Sequence, residues 1–361
     1  MKRALITVIA VIFTISFCMA QNLPTTKPTQ QPTVPTVTVT SEGTVIRGAT
    51  LTAKLDWLDR NAESHNTYIV EASTNENIAP RTIEYKGAIN ITVMIRSDYE
   101  NRIIRLSTNG TMFTVKSNVT FILDNNITLQ GHSQNTGSMV DVNGGVFKMN
   151  RGSTITGNNG SGVYVRSGTF EMNGGTISGN TASNGGGVFV HGIFTMNNGT
   201  ISSNTASNGG GVYVHSGTFT LNSGTISGNS AAKGSGGGVY INYGTLEMIN
   251  GTISDNTAKN SGGGVYAVGG YSGTTFTMRN GVITNNIAGE YGGGVCGSLT
   301  KTGGTITGYN SDPTNGNAVR DDKGVLARRG HAVFVNENMR KEKNAASHIN
   351  LSSNNKENWD Q

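Results

Sequence analysis

The sequence predicts an all-β protein, a parallel β-helix with three short strands in each coil and a small N-terminal cap that contains one helix. Three observations predict this fold. The 361 residues include 51 glycines, about twice the usual share. A segment recurs along most of the chain, and apolar residues alternate with polar ones in short runs. The stretch 207–229, SNGGGVYVHSGTFTLNSGTISGN, combines all three, with its runs VYV, FTL and TIS separated by Gly, Ser and Asn.

An isoleucine marks each unit of the repeat, most often in the triplet T-I-[ST]. Successive markers lie 22 to 30 residues apart, and a period in the twenties whose length drifts is typical of stacked units with insertions in their loops. Strands this short do not build a sandwich, but each can pair with its equivalent one turn further along the chain. The markers are Ile127, Ile155, Ile177, Ile201, Ile226, Ile253, Ile283 and Ile306.

Alternation along each strand predicts which side chains fill the interior. Val212 and Val214 point to one face and Tyr213 to the other, while Phe219 and Leu221 point inward from the next strand. Because equivalent residues stack, two internal columns are expected. They are Phe170, Phe194, Phe219, Leu246 and Phe276, and then Met172, Met196, Leu221, Met248 and Met278.

Asparagine and glycine are predicted to form the corners of each coil. An asparagine follows the marker isoleucine by three residues, and we expect it to take the left-handed backbone conformation while its amides bond along the column. The run Gly185–Gly187 and its equivalents are expected to form corners that no Cβ could occupy. The asparagines are Asn180, Asn204, Asn229, Asn256 and Asn286.

The chain divides into five segments by composition. Residues 1–20 are predicted to be a signal peptide and residues 21–40 a Thr/Pro/Gln-rich spacer. Residues 41–118 are expected to form the cap and first coils, with a helix over 49–63 and strands over 90–95, 102–107 and 111–115. Residues 119–336 carry the repeats and end in the last rung AVFV, and 337–361 form a polar C-terminal tail.

The N-terminal segment has the pattern of a bacterial secretory signal. Lys2 and Arg3 precede an apolar run to Phe17, and Ala20 provides a small residue before a cleavage site. The alternative is a lipid anchor on Cys18, against which Phe17 argues, because a small residue is normal there. We therefore expect export, to the cell surface, in association with the outer membrane or as a secreted protein, with the periplasm as an alternative. No later stretch has the length of a membrane-spanning helix.

Composition excludes several classes of protein. The net charge is +5, and removal of Lys2 and Arg3 with the signal leaves +3, with cations and acids balanced over 119–318. Nucleic acid is therefore not expected as a partner, because phosphate binding needs clustered cations. Only Cys296 follows Cys18, so the mature chain can form neither an internal disulfide nor a zinc site of several cysteines.

The repeats resemble those of known bacterial surface proteins. GGGVYV followed by GTF-x-M-x-x-GTIS-x-N is similar to the Gly-Gly-aliphatic and Phe/Ile-x-x-Asn repeats of bacterial polymorphic outer-membrane proteins. More broadly, residues 119–336 resemble the right-handed parallel β-helices of the pectate-lyase-like group, including autotransporter passengers. The resemblance implies a right-handed coil and a surface or adhesive role, although this fold hosts lyases, hydrolases and adhesins alike. The membrane barrel of autotransporters is not expected in the residues after AVFV.

The residues offer no convincing catalytic or metal-binding set. Enzymes of the resembled group use clustered acids, and here Asp321-Asp322 with Gly330-His331 are the nearest approach. Their spacing of nine residues is far shorter than one coil, so a terminal loop is the simpler interpretation. His191 and His215 should stack one coil apart, between Arg166 and Asn242, but two ligands alone make a weak metal site. We expect no catalytic residue, no metal site and no cofactor.

Two outward rows remain as candidate surfaces. Tyr164, Phe189, Tyr213, Tyr240 and Tyr266 should line one outer face, where exposed aromatic residues bind sugars or proteins. The alternative is that aromatic residues simply favour strands. Hydroxyl rows on another face resemble the threonine arrays of ice-binding solenoids, although threonine is also favoured on exposed strands. They are Thr176/Ser178, Thr200/Ser202, Thr225/Ser227 and Thr252/Ser254.

These observations predict a non-enzymatic, adhesin-like protein that binds a glycan or a host or envelope protein along the aromatic face. The alternatives are a carbohydrate-active enzyme of the same fold, either a polysaccharide lyase or a glycoside hydrolase, and a structural envelope protein.

Overall fold

The computed structural model describes residues 34–97, 99–268, 273–309, 312–326 and 330–334. The predicted signal peptide, the cysteine of the alternative lipid anchor, most of the spacer and the C-terminal tail lie outside these residues. The chain winds as a parallel β-helix in which each strand pairs with its equivalent in the next coil. Within the described residues, no helix has the length and apolarity that a membrane crossing requires.

Sheet A contains two columns of strands, because the chain bends within it. The first column contains the VYV strands and is called the Val column. Two long strands, Val140–Met149 and Val163–Met172, run through both columns. The strands of the Val column are Arg81–Ile83, Phe113–Lys116, Val140–Met149, Val163–Met172, Val188–Val190, Val212–His215, Val239–Asn242, Val265–Ala267, Val295–Gly297 and Val333–Phe334. The last strand named here lies within the predicted rung AVFV and pairs with the coil before it.

The second column of sheet A, the Phe column, carries the TFTL strands. At its N-terminal end, Thr36–Thr40 pairs antiparallel with Gly43–Arg47, so the end of the predicted spacer is a strand. The parallel strands are Gly43–Arg47, Thr67–Glu71, Ile91–Arg96, Val119–Leu123, Val140–Met149, Val163–Met172, Ile193–Met196, Thr218–Leu221, Thr245–Met248, Thr275–Met278 and Thr300–Lys301.

Sheets B and C complete each coil. Sheet B contains the marker isoleucines and begins before residue 119, so the coils start earlier than the repeat. Its strands are Glu76–Ile78, Arg102–Leu106, Ile127–Gln130, Thr154–Thr156, Thr176–Ser178, Thr200–Ser202, Thr225–Ser227, Thr252–Ser254, Val282–Thr284 and Thr305–Ile306. Sheet C adds a short strand that the sequence did not suggest. It contains Thr181–Asn184, Thr205–Asn208, Ser230–Ala231, Thr257–Ala258, Ile287–Ala288 and Ala318–Val319.

The interior consists of the predicted columns. The rings of Phe147, Phe170, Phe194 and Phe219 are fully buried and stack with centroids 5.1, 4.7 and 4.6 Å apart. The methionine column runs beside it, also fully buried. Removal of these side chains from water is the main favourable contribution to the free energy of folding.

Glycine is required at the corner that leads into the Val column. Gly185 has a φ of 59°, a left-handed conformation that favours glycine. A Cβ on Gly186 would lie 2.6 Å from the carbonyl oxygen of Thr205, and one on Gly187 would lie 2.6 Å from that of Gly211. The prediction for this corner is therefore confirmed.

The asparagine column is confirmed as a hydrogen-bonded ladder, but its predicted backbone conformation is wrong. Nδ2 of Asn180 donates to Oδ1 of Asn204 at 3.0 Å, and the pattern continues to Asn317. The left-handed residue is the one before each asparagine, for example Ser203 with a φ of 55°. The side chain can enter the interior because the preceding residue makes the turn.

The N-terminal cap contains the predicted helix, Leu51–Asn61. Thr50 caps it by accepting a hydrogen bond from the backbone N–H of Ala53. Leu51, Leu55 and Leu58 are buried as their helical spacing predicts, so the helix covers apolar side chains of the first coils.

Candidate binding surface

Five aromatic side chains form a continuous stack on the outer face of the Val column. Neighbouring ring centroids lie 5.2, 5.1, 4.9 and 5.1 Å apart. Each ring is half-buried, since its neighbours cover its faces and solvent reaches its edge. The members of this aromatic ladder are the five predicted residues Tyr164, Phe189, Tyr213, Tyr240 and Tyr266, and their part in binding stays a prediction.

Strand alternation fixes the position of the ladder. Val212 and Val214 are fully buried on either side of Tyr213, so the ring between them must point outward. Parallel in-register pairing then places Tyr213 directly between Phe189 and Tyr240. The regular spacing of the rings therefore follows from the pairing of the strands.

The hydroxyl groups of Tyr213, Tyr240 and Tyr266 in the ladder stay protonated at neutral pH. Burial, with smaller effects from the neighbouring phenols of Tyr213 and Tyr266, raises the pKa of Tyr240 to about 12. Burial also raises the pKa of Tyr213, whose hydroxyl oxygen accepts a hydrogen bond from Asn242 at 3.4 Å. The ladder thus presents neutral groups that both donate and accept hydrogen bonds.

Polar and basic side chains lie beside the ladder, two residues further along the same strands. The guanidinium of Arg166 lies 4.6 Å from the ring centroid of Tyr164 and pairs with Asp141 at 3.0 Å. The rings of His191 and His215 are 4.8 Å apart, and Asn242 contacts Nδ1 of His215 at 3.2 Å. The predicted order Arg166, His191, His215, Asn242 is therefore confirmed.

Two members of this polar row, Arg166 and His191, add little net charge at neutral pH. Burial, followed by the effects of His215 and Arg166, lowers the pKa of His191. Its imidazole therefore stays neutral down to a lower pH than an ordinary histidine. The charge of Arg166 is balanced by the buried carboxylate of Asp141, whose Oδ1 has no hydrogen-bond partner among the described residues. The row is therefore suited to hydrogen bonding with a polar, uncharged ligand.

A groove of about 520 Å³ runs along the other side of the ladder. Tyr164 and Phe189 line one side of it, and sheet C contributes Ser183 and Ser207. Asn159, Ser161 and Lys233 also belong to its polar lining. A concave site with aromatic edges and a few hydroxyl and amide groups is typical of small-ligand recognition.

The groove was missed by the sequence analysis. It depends on two strands of sheet C, Thr181–Asn184 and Thr205–Asn208, in which alanine is the only apolar residue. It also depends on the corner segment 159–161. The available signal was the repeated T-A-S-N segment at 181–184 and 205–208, which follows each marker isoleucine at a fixed distance.

The hydroxyl rows lie on a different face. Thr176 and Ser178 pair in register with Thr200 and Ser202, and the rows continue through the next two coils as predicted. They project from sheet B, whereas the groove is lined by sheets A and C and the segments between them. The rows therefore form no part of the candidate site.

The residues considered for hydrolysis are held in separate structural contacts. Oδ1 of Asp321 accepts hydrogen bonds from the backbone N–H groups of Lys323 and Val325, at 2.9 and 2.8 Å. Asp322 pairs with Lys259. His331 is buried and its Nδ1 accepts from the backbone N–H of Val319 at 2.9 Å. These contacts stabilise the terminal loop and do not form a catalytic pair.

The part of the chain that the structure describes contains no group of three or more His, Cys, Asp or Glu side chains placed to hold a metal ion.

Comparison with known proteins supports the fold. Residues 104–280 match the model of the family described as right handed beta helix region. A search of curated proteins and a search of solved structures each returned no significant match. The matched range includes the aromatic ladder, the groove and the part of the asparagine ladder up to Asn256. This match and the strand pairing together support a parallel β-helix, and the coils on either side of residues 104–280 continue the same pairing among the described residues.

Proposed function

We propose that the protein is a non-enzymatic, exported β-helix protein that binds a glycan along the aromatic ladder. One observation carries the proposal: five half-exposed rings stack in register beside a groove lined by hydroxyl and amide groups. A protein ligand, which the sequence analysis also predicted, is the alternative outcome of the tests below.

The chemistry of the surface favours a sugar over a charged ligand. The exposed aromatic edges of the ladder can contact the apolar C–H groups of a sugar ring, and hydroxyl and amide groups exchange hydrogen bonds with its hydroxyls. Arg166 is already paired with Asp141, and the pKa of His191 is lowered, so the polar row adds little positive field and Lys233 is the one cation among the described residues that line the groove. The rings of the ladder also repeat at a regular spacing, which suits a polymeric ligand whose units repeat.

Binding should depend on the rings of the ladder. We expect the double variant Phe189→Ala/Tyr213→Ala to bind its glycan about tenfold or more weakly, because truncation of an aromatic hot spot in an interface costs about 2 kcal/mol or more and about 1.4 kcal/mol is tenfold in affinity. Glycan-array screening would identify the ligand, and calorimetry with the best glycan would measure the affinity.

The matched control is Thr195→Ala/Thr220→Ala, which changes half-buried outward residues of the Phe column in the same two coils. Circular dichroism should show that both double variants fold. Equal affinity in the two variants would remove the ladder from the function. Release of oligosaccharides during the assay would contradict the non-enzymatic part of the proposal, and binding to an envelope or host protein alone would replace the glycan.

Export is proposed from the pattern of residues 1–20. Protease treatment of intact cells should degrade the protein while a periplasmic control protein stays intact. Mass spectrometry of the mature N-terminus would separate cleavage after Ala20 from lipidation at Cys18. Protection in intact cells, with cleavage after lysis, would favour the alternative of a structural envelope protein.

A further inference from the structure

The strand Thr36–Thr40, with the sequence TVTVT, has an uncovered edge. It pairs antiparallel with Gly43–Arg47 through a two-residue loop, and all five of its side chains are exposed. No other strand among the described residues pairs with it. An uncovered strand edge presents unpaired N–H and C=O groups and is a template for another strand.

The geometry of the hairpin fixes which groups lie on this edge. Thr40 and Gly43 flank the two-residue loop and form a hydrogen-bonded pair. Because hydrogen-bonded and non-bonded pairs alternate along an antiparallel ladder, Thr36, Thr38 and Thr40 bond to the neighbouring strand. The backbone groups of Val37 and Val39 therefore point to the open edge.

The same two valines continue the inner face of the Phe column. Val37 lies opposite Ile46, which is fully buried, and Val39 lies opposite Thr44. Val37 is nevertheless 39% exposed and Val39 81% exposed. The apolar inner face thus ends in two uncovered valines, and covering them would remove apolar surface from water.

The usual devices that protect a strand edge are missing from this strand. Natural edges carry charged side chains, proline or a bulge, whereas residues 36–40 contain only threonine and valine. The nearest charged residues, Glu42 and Arg47, pair with Arg96 and Glu71 respectively. The edge is therefore free of charges that would repel an identical strand.

We propose that Thr36–Thr40 pairs antiparallel with the same strand of a second copy of this chain, forming a two-fold symmetric dimer. The sequence TVTVT reads the same in both directions, so a register centred on Thr38 places Val37 opposite the partner subunit's Val39. The outward N–H and C=O groups of both valines then find partners, and the four valines cover one another. Self-complementarity of this kind is what a symmetric interface requires.

The interface is small, so the dimer should be weak. A five-residue strand pair buries less than the ~1,200 Å² of a stable complex, and the dimer should dissociate on dilution. Because the strand lies in the hairpin and outside the aromatic ladder, dimerisation can fail while glycan binding succeeds, or the reverse.

Sedimentation velocity of the full chain over a roughly hundredfold range of concentration tests the proposal. We expect a monomer–dimer equilibrium in the wild type and a monomer for Val39→Pro. Proline removes only the outward N–H of residue 39 and is tolerated on an edge strand, so the hairpin should persist. The control Val39→Thr keeps that N–H and should retain the dimer with weaker affinity.

Cysteine cross-linking tests the register. In the proposed pairing, Thr38 faces its own equivalent as a non-bonded pair about 4.5 Å apart between Cα atoms, which a disulfide can bridge. Thr38→Cys should therefore form covalent dimers on oxidation. Thr36→Cys should not, because four residues of offset place its equivalent about 13 Å away. The wild type, with its own Cys18 and Cys296, is the control.

Three results would overturn the proposal. The first is a wild-type monomer at every concentration, and the second is equal cross-linking of the Thr36→Cys and Thr38→Cys variants. The third is protection of the Val37 and Val39 amides from hydrogen exchange in a monomer, which would show that another part of the same chain covers the edge.

Discussion

Two asparagine ladders in the same coils show how the surroundings of a residue decide its effect on stability. Asn204 is fully buried, accepts from the backbone N–H and the amide of Asn180, and donates to Asn229 and to the carbonyl of Ile177. Asn197 makes similar amide contacts with Asn173 and Asn222 but is exposed to water. Water can replace the partners of the second ladder but not those of the first.

We expect Asn204→Ala to lower the free energy of unfolding by about 3 kcal/mol, because it leaves several buried donors and acceptors without partners. Asn197→Ala should lower it by less than about 1 kcal/mol, since water can satisfy its neighbours. Urea denaturation followed by circular dichroism would measure both. Equal losses in the two variants would show that burial does not control the effect of this ladder.

Secondary-structure elements were predictable where an apolar period was present. The helix Leu51–Asn61 was evident from the spacing of its leucines, which are buried. Sheet C was not evident, because its two strands at the groove, Thr181–Asn184 and Thr205–Asn208, each contain a single apolar side chain, Ala182 or Ala206. The strand Thr36–Thr40 lies in a Thr- and Pro-rich segment that was predicted to be a spacer. It forms a strand because it pairs with Gly43–Arg47, and composition alone does not predict that pairing.

Lys54 in the cap helix should make stability depend on pH. It is buried, with its ammonium group donating to the carbonyl of Glu71. Burial lowers its pKa, while Glu76 and Glu71 act in the opposite direction. A folded pKa below the unfolded value means that unfolding takes up a proton, so the free energy of unfolding should rise as pH approaches 10.5.

The variant Lys54→Met should lack this rise on the alkaline approach to pH 10.5. Lys86 is exposed, so the variant Lys86→Met is the control and should keep the rise of the free energy of unfolding with pH. Denaturation midpoints at several pH values would compare the three proteins. An identical pH dependence in the wild type and Lys54→Met would mean that the buried ammonium group loses no proton in this range.

At the scale of the whole molecule, the core was predictable and the site was only partly so. Alternation within three-residue strands was enough to place Phe170 and Met172 inside and Tyr164 outside. The groove was not predictable, because it is formed by segments from different coils whose contact depends on the bend between sheets C and A. The salt bridge of Arg166 with Asp141 likewise joins residues from different coils, although their spacing is one repeat.

The near identity of successive coils has a consequence for how such a gene changes. Residues 180–190 read NTASNGGGVFV and residues 204–214 read NTASNGGGVYV, an offset of 24 residues. Unequal recombination between the corresponding DNA segments removes or duplicates one complete turn and leaves every column in register. The number of rungs in the ligand surface can therefore change between generations by single steps, each of which yields a chain that still folds.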